Sequence, residues 1–193
     1  MEKVYWEQRY SENNTHWDVG GISEPLKKYF NGLNNKDLRI LIPGAGNAHE
    51  AEYLFNNGFK NVFVMDISEN AVKSFINRCP DFPAENILNE DFFLHQGKYD
   101  LIIEQTFFCA IKRERRGEYA AKVYDLLNEN GKLVGLLFNH EFGDEEPPFG
   151  GTKEEYENYF SRYFEMEIFE TSYNSIKPRA GRELFIKLRK KQQ

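Results

Sequence analysis

Two glycines and a carboxylate stand at positions where α/β proteins bind ribose-bearing cofactors. Residues 38–50 form an apolar run, a turn that contains Gly44 and Gly46, and a helix start. Glycine lets the backbone approach a ligand where a Cβ would clash, and a helix N-terminus offers unpaired N–H groups. Asp66 closes the next apolar run, where a carboxylate can accept hydrogen bonds from both ribose hydroxyls. Together these features predict a bound cofactor, although a tight strand–helix turn and a helix-capping aspartate would explain the same residues.

The third glycine of the dinucleotide-binding pattern is missing, because His49 stands at its position. Gly44, Gly46 and Asp66 alone would still suit a nicotinamide cofactor. An NAD(P)-dependent oxidoreductase is therefore the alternative rather than the main interpretation.

Later strand ends carry a second group of candidates. Asp91 and Phe92 could bind the amino group and the ring of an adenine, or form an ordinary loop with an aromatic anchor. Glu104 ends a buried strand, where a carboxylate would face the cationic end of a ligand. Aromatic faces stabilise a sulfonium cation. Phe107 and Phe108 are adjacent and diverge in direction, so we expect one of them to line a pocket.

An aromatic N-terminal arm precedes the first strand. Trp6 and Tyr10 are four residues apart and share one helix face, and Trp17 follows them. This arm would serve equally as a lid over a ligand or as part of the core.

Other kinds of catalytic centre find little support in the sequence. The histidines lack metal-ligand spacing, so no metal site is expected. Cys109 follows two phenylalanines and is expected to be a small buried hydrophobe. No nucleophile elbow and no phosphate-binding loop is present.

Composition indicates a globular protein. The chain is 40% hydrophobic and 29% charged, and its net charge of −6 argues against a nucleic-acid partner. Two cysteines do not make a disulfide framework, and no apolar run is long enough to span a membrane. We therefore expect a cytoplasmic protein without membrane attachment, and a monomer by default.

Hydrophobic patterning predicts alternating strands and helices. The predicted helices cover residues 24–33, 47–56, 68–78, 113–127 and 153–162, and the predicted strands cover 39–43, 62–66, 86–88, 99–104, 132–138, 164–170 and 183–188. Alternation favours an α/β fold with a mostly parallel sheet and helices on both faces. The last two strands have no helix between them and should form an antiparallel pair, which an ordinary dehydrogenase half lacks.

The chain resembles the thiopurine methyltransferase family within the class I S-adenosylmethionine-dependent methyltransferases. It resembles most the branch that methylates thiols, halides and thiocyanate. The matching segments are residues 6–18, 40–50, 64–68, 90–93, 99–111, 131–138, 147–150 and 178–183. The resemblance implies a Rossmann-like fold with a seven-stranded sheet. It implies one domain over residues 1–193, with an N-terminal helical lid and helix over 1–35 and the core over 36–193.

The resemblance also implies roles for individual residues. Those expected at the cofactor are Trp6, Tyr10, Trp17, Gly44, Gly46, Asp66, Asp91, Phe92 and Gln105, with Glu104 added from its strand-end position. Those expected around the acceptor are Trp17, Gln105, Phe107, Phe149 and Arg179, with Pro148 beside them. Gln105 departs from the arginine of the thiopurine enzymes and the tyrosine of the halide branch, which leaves the acceptor open.

The implied reaction is methyl transfer from S-adenosylmethionine to a small, soft nucleophile, with S-adenosylhomocysteine as product. The acceptor would be a thiol, sulfide, thiocyanate or halide, with thiopurines and metalloid oxyanions as further candidates. Such anions need no general base, so no acid–base residue is assigned. A non-catalytic module that only binds the cofactor is the second alternative.

Overall fold

The computed structural model describes residues 3–192. These fall into two compact units, one ending at His95 and the other beginning at Gln96. The expectation of one domain over 1–193 remains a prediction.

The first unit is built on a parallel three-stranded ladder in the order β3-β2-β1. Its elements are α1 (Lys3–Ser11), α2 (Glu24–Asn31), β1 (Arg39–Pro43), α3 (His49–Asn56), β2 (Asn61–Met65), α4 (Glu69–Arg78), a short 3₁₀ helix (Ala84–Asn86) and β3 (Ile87–Leu88). Three successive β1 residues, Ile40, Leu41 and Ile42, are buried, as expected for a parallel strand covered on both faces. Helix α4 starts where the sequence predicts, because the Ser68 hydroxyl accepts the Ala71 N–H at 3.2 Å.

The second unit carries four strands in the order β4-β5-β7-β6. Its elements are β4 (Tyr99–Gln105), 3₁₀ helices (Phe108–Ala110 and Arg113–Arg115), α5 (Arg116–Leu126), β5 (Leu127–Phe138), α6 (Lys153–Phe160), β6 (Phe164–Thr171), a 3₁₀ helix (Lys177–Arg179) and β7 (Glu183–Lys190). Strands β4 and β5 are parallel, whereas β7 runs antiparallel to both β5 and β6. The mostly parallel strands, the flanking helices and the antiparallel C-terminal pair are as predicted.

Strand β5 begins five residues before the predicted start at Lys132. Tyr99 pairs with Leu127, and the next pair is Leu101 with Lys132. The polar residues between Leu127 and Lys132 therefore bulge out of the ladder. Asn130 within this bulge has φ +61°, a left-handed conformation that asparagine tolerates. The turn-like composition of the segment therefore fits the backbone that it adopts.

None of the helices within residues 3–192 is long and apolar enough to cross a membrane.

Gly135 is expected to be essential for the fold of the second unit. A Cβ at this β5 position would lie 2.1 Å from the Glu104 carbonyl oxygen and 2.4 Å from the Glu104 Cβ. We expect Gly135→Ala to cost about 3 kcal/mol or more in the free energy of unfolding, measured by urea denaturation. Gly117→Ala is the matched control, because a Cβ on this exposed α5 glycine meets nothing within 4 Å. It should leave stability unchanged or raise it by up to about 1 kcal/mol, and equal effects of the two changes would contradict the argument.

Candidate functional site

Asp66 holds the glycine turn of the first unit. One carboxylate oxygen accepts the Gly46 N–H at 2.8 Å, and the other accepts the Ser68 N–H at 2.8 Å. Gly44 and Gly46 have φ of +56° and +54°, a region that strongly favours glycine. The side chain thus joins the turn after β1 to the start of α4.

The Asp66 carboxylate is buried but has unused acceptor capacity. It is 7% exposed, and burial raises its pKa to about 6, while the N–H donors of Ser68 and Gly46 oppose the rise and the charge of Glu7 adds to it. A carboxylate offers about four acceptor positions, so these donors leave room for ligand hydroxyls. Asp66 therefore fits the predicted contact with a ribose.

The aromatic arm lies against this turn. Trp17 makes edge-on ring contacts with Trp6 at 5.4 Å and with Tyr10 at 5.9 Å between centroids. A Cβ on Gly46 would lie 2.4 Å from the Tyr10 hydroxyl, and burial together with the charge of Asp66 raises the pKa of Tyr10. No residue of α1 is fully buried, so the helix adds little to the core. These contacts favour a cover over the turn rather than core packing.

Two carboxylates that the sequence reasoning missed attach the arm. Glu7 accepts the Glu69 and Asn70 N–H groups at 2.5 and 3.3 Å, at the N-terminus of α4. Asp18 accepts the side-chain amide of Asn47 in the glycine turn, and also the Gly20 N–H of its own loop at 2.8 Å. An Asp two residues before a glycine is a sequence signal of such a turn, whereas nothing local marks Glu7.

Asp91 and Phe92 lie in the loop that follows β3 in the same unit. The Asp91 carboxylate accepts the Phe93 N–H at 2.8 Å, and its carbonyl accepts the N–H groups of Leu94 and His95. Phe92 is 3% exposed. This is the geometry of a loop with an aromatic anchor, and the adenine contact remains a prediction.

Glu104 binds the turn that follows its own strand. One carboxylate oxygen accepts the N–H groups of Phe107 and Phe108, both at 2.8 Å, and the other accepts the Tyr119 hydroxyl at 2.6 Å. The residue is fully buried, which raises its pKa to about 7 although these three donors oppose the rise. Its carboxylate thus holds the turn after β4, and its contact with the cationic end of a ligand stays a prediction.

Gln105 and Phe107 retain the features expected of ligand contacts. The Gln105 side-chain oxygen is buried and has no hydrogen-bond partner among the described residues. Phe107 is half-buried while Phe108 is 1% exposed, although both rings contact the ring of Tyr119, so Phe107 stays the candidate for lining a pocket. Thr106, which lies between Gln105 and Phe107, has φ +59°, a strained backbone conformation of the kind found at functional sites.

Phe149 and Arg179 lie on two other loops of the second unit. Phe149 is 5% exposed, and its N–H donates to the Cys109 carbonyl at 2.7 Å. The guanidinium of Arg116, which the sequence reasoning missed, is fully buried and donates to the Phe149 carbonyl at 2.7 Å. Arg179 pairs with Glu183 at 3.3 Å. Phe149 and Arg179 are thus each engaged by their own neighbours.

The described residues hold no group of three or more His, Cys, Asp or Glu side chains that could bind a metal. Cys109 is buried, which raises the pKa of its thiol to about 12 and leaves it unreactive at neutral pH.

Comparison with protein-family models decides the family. The model described as thiopurine S-methyltransferase matches residues 1–185. The chain belongs to this family. Membership favours an S-adenosylmethionine-dependent methyltransferase over the nicotinamide oxidoreductase considered above.

Curated relatives come from two branches of the family. Thiocyanate methyltransferase 1 of Brassica oleracea is 29% identical over 190 residues, which cover 95% of this chain and 83% of that protein. A thiopurine S-methyltransferase of Francisella tularensis is 23% identical over 189 residues, covering 86% and 83%.

Solved structures confirm the class I methyltransferase fold. A Burkholderia thailandensis 1,6-didemethyltoxoflavin-N1-methyltransferase, solved with S-adenosylhomocysteine, has a TM-score of 0.80 at 16% identity and covers 98% of this chain and 87% of its own. Magnesium protoporphyrin IX methyltransferase of Synechocystis has a TM-score of 0.76 at 12% identity, with 98% and 99% covered.

The buried Glu104 predicts a specific pH dependence of stability. Its pKa is about 7 in the folded chain against 4.5 when unfolded, so its stabilising contribution is full below 4.5 and is lost as pH rises through 7. Glu104→Gln cannot titrate and should remove roughly 3 kcal/mol of this pH dependence, measured by urea unfolding at about pH 5 and about pH 8. Glu118→Gln, at an exposed α5 position, is the control and should behave as the unmodified protein. The same slope in both variants would refute the assignment.

Proposed function

We propose that this protein transfers the methyl group of S-adenosylmethionine to a small, soft nucleophile by in-line displacement. The acceptor class is a thiol, sulfide, thiocyanate or halide, and extends to thiopurines. The observation that carries the proposal is the buried Asp66 carboxylate bonded to Gly46 beneath the Tyr10 hydroxyl. The names of the thiocyanate and thiopurine relatives support the choice of acceptor.

On the cofactor side, Asp66 would accept the ribose hydroxyls while Gly44 and Gly46 keep the backbone free of side chains. Asp91 and Phe92 would meet the adenine. Tyr10 lies over Gly46 in this structure and would have to move for a ligand to reach the turn. Because Tyr10 belongs to the arm, Trp6, Tyr10 and Trp17 would then close over the bound molecule and exclude water.

When bound, the cofactor supplies a methyl group already activated by its sulfonium charge. The chain then needs only to align the acceptor and exclude water, because thiolates, thiocyanate and halides arrive as nucleophilic anions. The absence of an assigned general base is consistent with this chemistry. Glu104 would serve it indirectly, by fixing the turn that carries Phe107.

On the acceptor side, Gln105, Phe107, Phe149 and Arg179 remain the candidates, with Trp17 from the arm. A buried amide oxygen without a partner is costly, and an N–H donor of the cofactor, beside which Gln105 is also expected, would relieve that cost. Arg179 would contribute a positive charge suited to an anion. We further propose that the protein acts on this small molecule as a cytoplasmic monomer, without nucleic acid or membrane.

The nicotinamide alternative is tested by thermal shift. S-adenosylhomocysteine should raise the melting temperature, and NAD at the same concentration should not. A shift with NAD alone would replace the proposal by the oxidoreductase.

Asp66→Ala should abolish detectable binding of S-adenosylhomocysteine in calorimetry. Loss of the hydrogen bonds that two ribose hydroxyls donate to a charged acceptor weakens binding by at least about hundredfold. Asp66→Asn, which keeps one acceptor for the Gly46 N–H, separates this effect from collapse of the turn and should also bind weakly. Asp37→Ala is the control, because Asp37 is exposed and its carboxylate forms a surface ion pair with Lys60 at 3.1 Å. Unchanged affinity in Asp66→Ala would eliminate the ribose assignment.

Methyl transfer from labelled cofactor identifies the acceptor. The panel comprises thiols, sulfide, thiocyanate, iodide, thiopurines, and oxyanions of selenium and tellurium. Binding of the cofactor without transfer to any of them would favour the non-catalytic module.

With the best acceptor, Phe107→Ala and Trp17→Ala should each lower turnover by more than about tenfold with little loss of stability. Phe108→Ala is the matched opposite, since Phe108 is fully buried and its truncation should cost about 3–5 kcal/mol of stability. Turnover is measured at saturating cofactor and stability by urea unfolding. Loss of stability without a specific loss of turnover in Phe107→Ala would remove Phe107 from the acceptor site.

A further inference from the structure

The residue that interrupts the glycine pattern makes a bond to the aromatic arm. His49 is the first residue of α3, and its Nε2 lies 2.9 Å from a carboxylate oxygen of Asp18. Both side chains are largely enclosed, with 18% and 19% of their surface exposed. A glycine at position 49 would leave Asp18 without this partner.

The Asp18 carboxylate accepts hydrogen bonds from both sides of the contact. It accepts the Gly20 N–H at 2.8 Å from its own loop, and the Asn47 side-chain amide from the glycine turn. The hydrogen bond from His49 is the largest influence on Asp18 and holds its pKa well below the usual range. The carboxylate is therefore charged at neutral pH, when its hydrogen bonds are strongest.

The contact closes a loop of interactions around the turn. Asp18 follows Trp17, whose ring packs edge-on against Tyr10, and the Tyr10 hydroxyl lies over Gly46. Gly46 is only three residues before His49. The arm is thus held to the same turn at both ends of this path, once by packing and once by a charged hydrogen bond.

We propose that His49 and Asp18 form a clasp that positions the aromatic arm over the glycine turn and slows release of the cofactor. The proposal rests on the proposed function, because it takes the turn to be the cofactor site. His49 acts here as a positioning residue, through Asp18 and Trp17. Residues that stabilise a closed state act mainly on the dissociation rate.

The chain provides its own reporter for the arm. Its two tryptophans, Trp6 and Trp17, both belong to the arm, so tryptophan fluorescence, excited selectively over tyrosine, reports on this segment alone. An arm released from the turn would expose these rings to water and shift their emission to longer wavelength.

The experiment compares His49→Ala, Asp18→Ala and the double variant with His49→Gln, whose amide can still donate to Asp18. Stopped-flow fluorescence gives the dissociation rate of S-adenosylhomocysteine, and thermal unfolding gives stability. We expect the alanine variants to raise the dissociation rate about tenfold and red-shift the emission, and the double variant to be no worse than either. His49→Gln should restore the rate to within about twofold of the unmodified protein. His16→Ala, at an exposed position of the same arm, is the control and should change nothing.

Two results would overturn the clasp. One is an unchanged dissociation rate and emission in both alanine variants. The other is a loss of thermal stability that parallels the loss of affinity and is not rescued by His49→Gln, which would make the pair merely structural. If the unmodified protein does not bind S-adenosylhomocysteine, the proposed function fails instead. The emission of ligand-free His49→Ala then still decides whether the clasp holds the arm.

Discussion

The first unit depends on one buried carboxylate. Asp66 receives the N–H of Gly46 from the turn after β1 and the N–H of Ser68 from the start of α4. Two segments far apart in sequence thus meet at the end of β2. Burying an anion costs free energy, as the raised pKa of Asp66 records, and such costs concentrate at functional sites.

The second unit also has a buried carboxylate at the end of a strand, but its hydrogen-bond partners differ. Glu104 at the end of β4 also accepts backbone N–H groups from the turn that follows, but the Tyr119 hydroxyl occupies its other oxygen. Gly135, on the neighbouring strand β5, leaves room for the carbonyl group and the Cβ of Glu104. Two carboxylates at strand ends therefore differ in their partners: Asp66 accepts backbone N–H groups beside the aromatic arm, whereas Glu104 accepts two backbone N–H groups and the Tyr119 hydroxyl.

Much of the fold could be predicted, because local patterns specify it. The bounds of β1 and the extent of α4 follow from a buried apolar run and from the Ser68 cap. The early start of β5 could not be predicted, because residues 128–131 have turn composition and bulge out of the ladder between the Tyr99–Leu127 and Leu101–Lys132 pairs. In the candidate site, the glycine positions and Asp66 were predictable from spacing, whereas the commitment of Glu104 depends on where Tyr119 lies.

The sequence by itself determined the order of strands and helices, the glycine turn with its strand-end aspartate, and the family. These follow from short-range chemistry: apolar periodicity, glycine conformation, capping and motif order. Only the tertiary structure decided that the arm lies on the glycine turn, that Glu104 accepts hydrogen bonds from the turn after β4, and that His49 contacts Asp18. Asp18 and His49 are 31 residues apart, and no local preference specifies which distant donor a carboxylate will meet. That choice is made when the chain packs, since buried polar groups must then find partners.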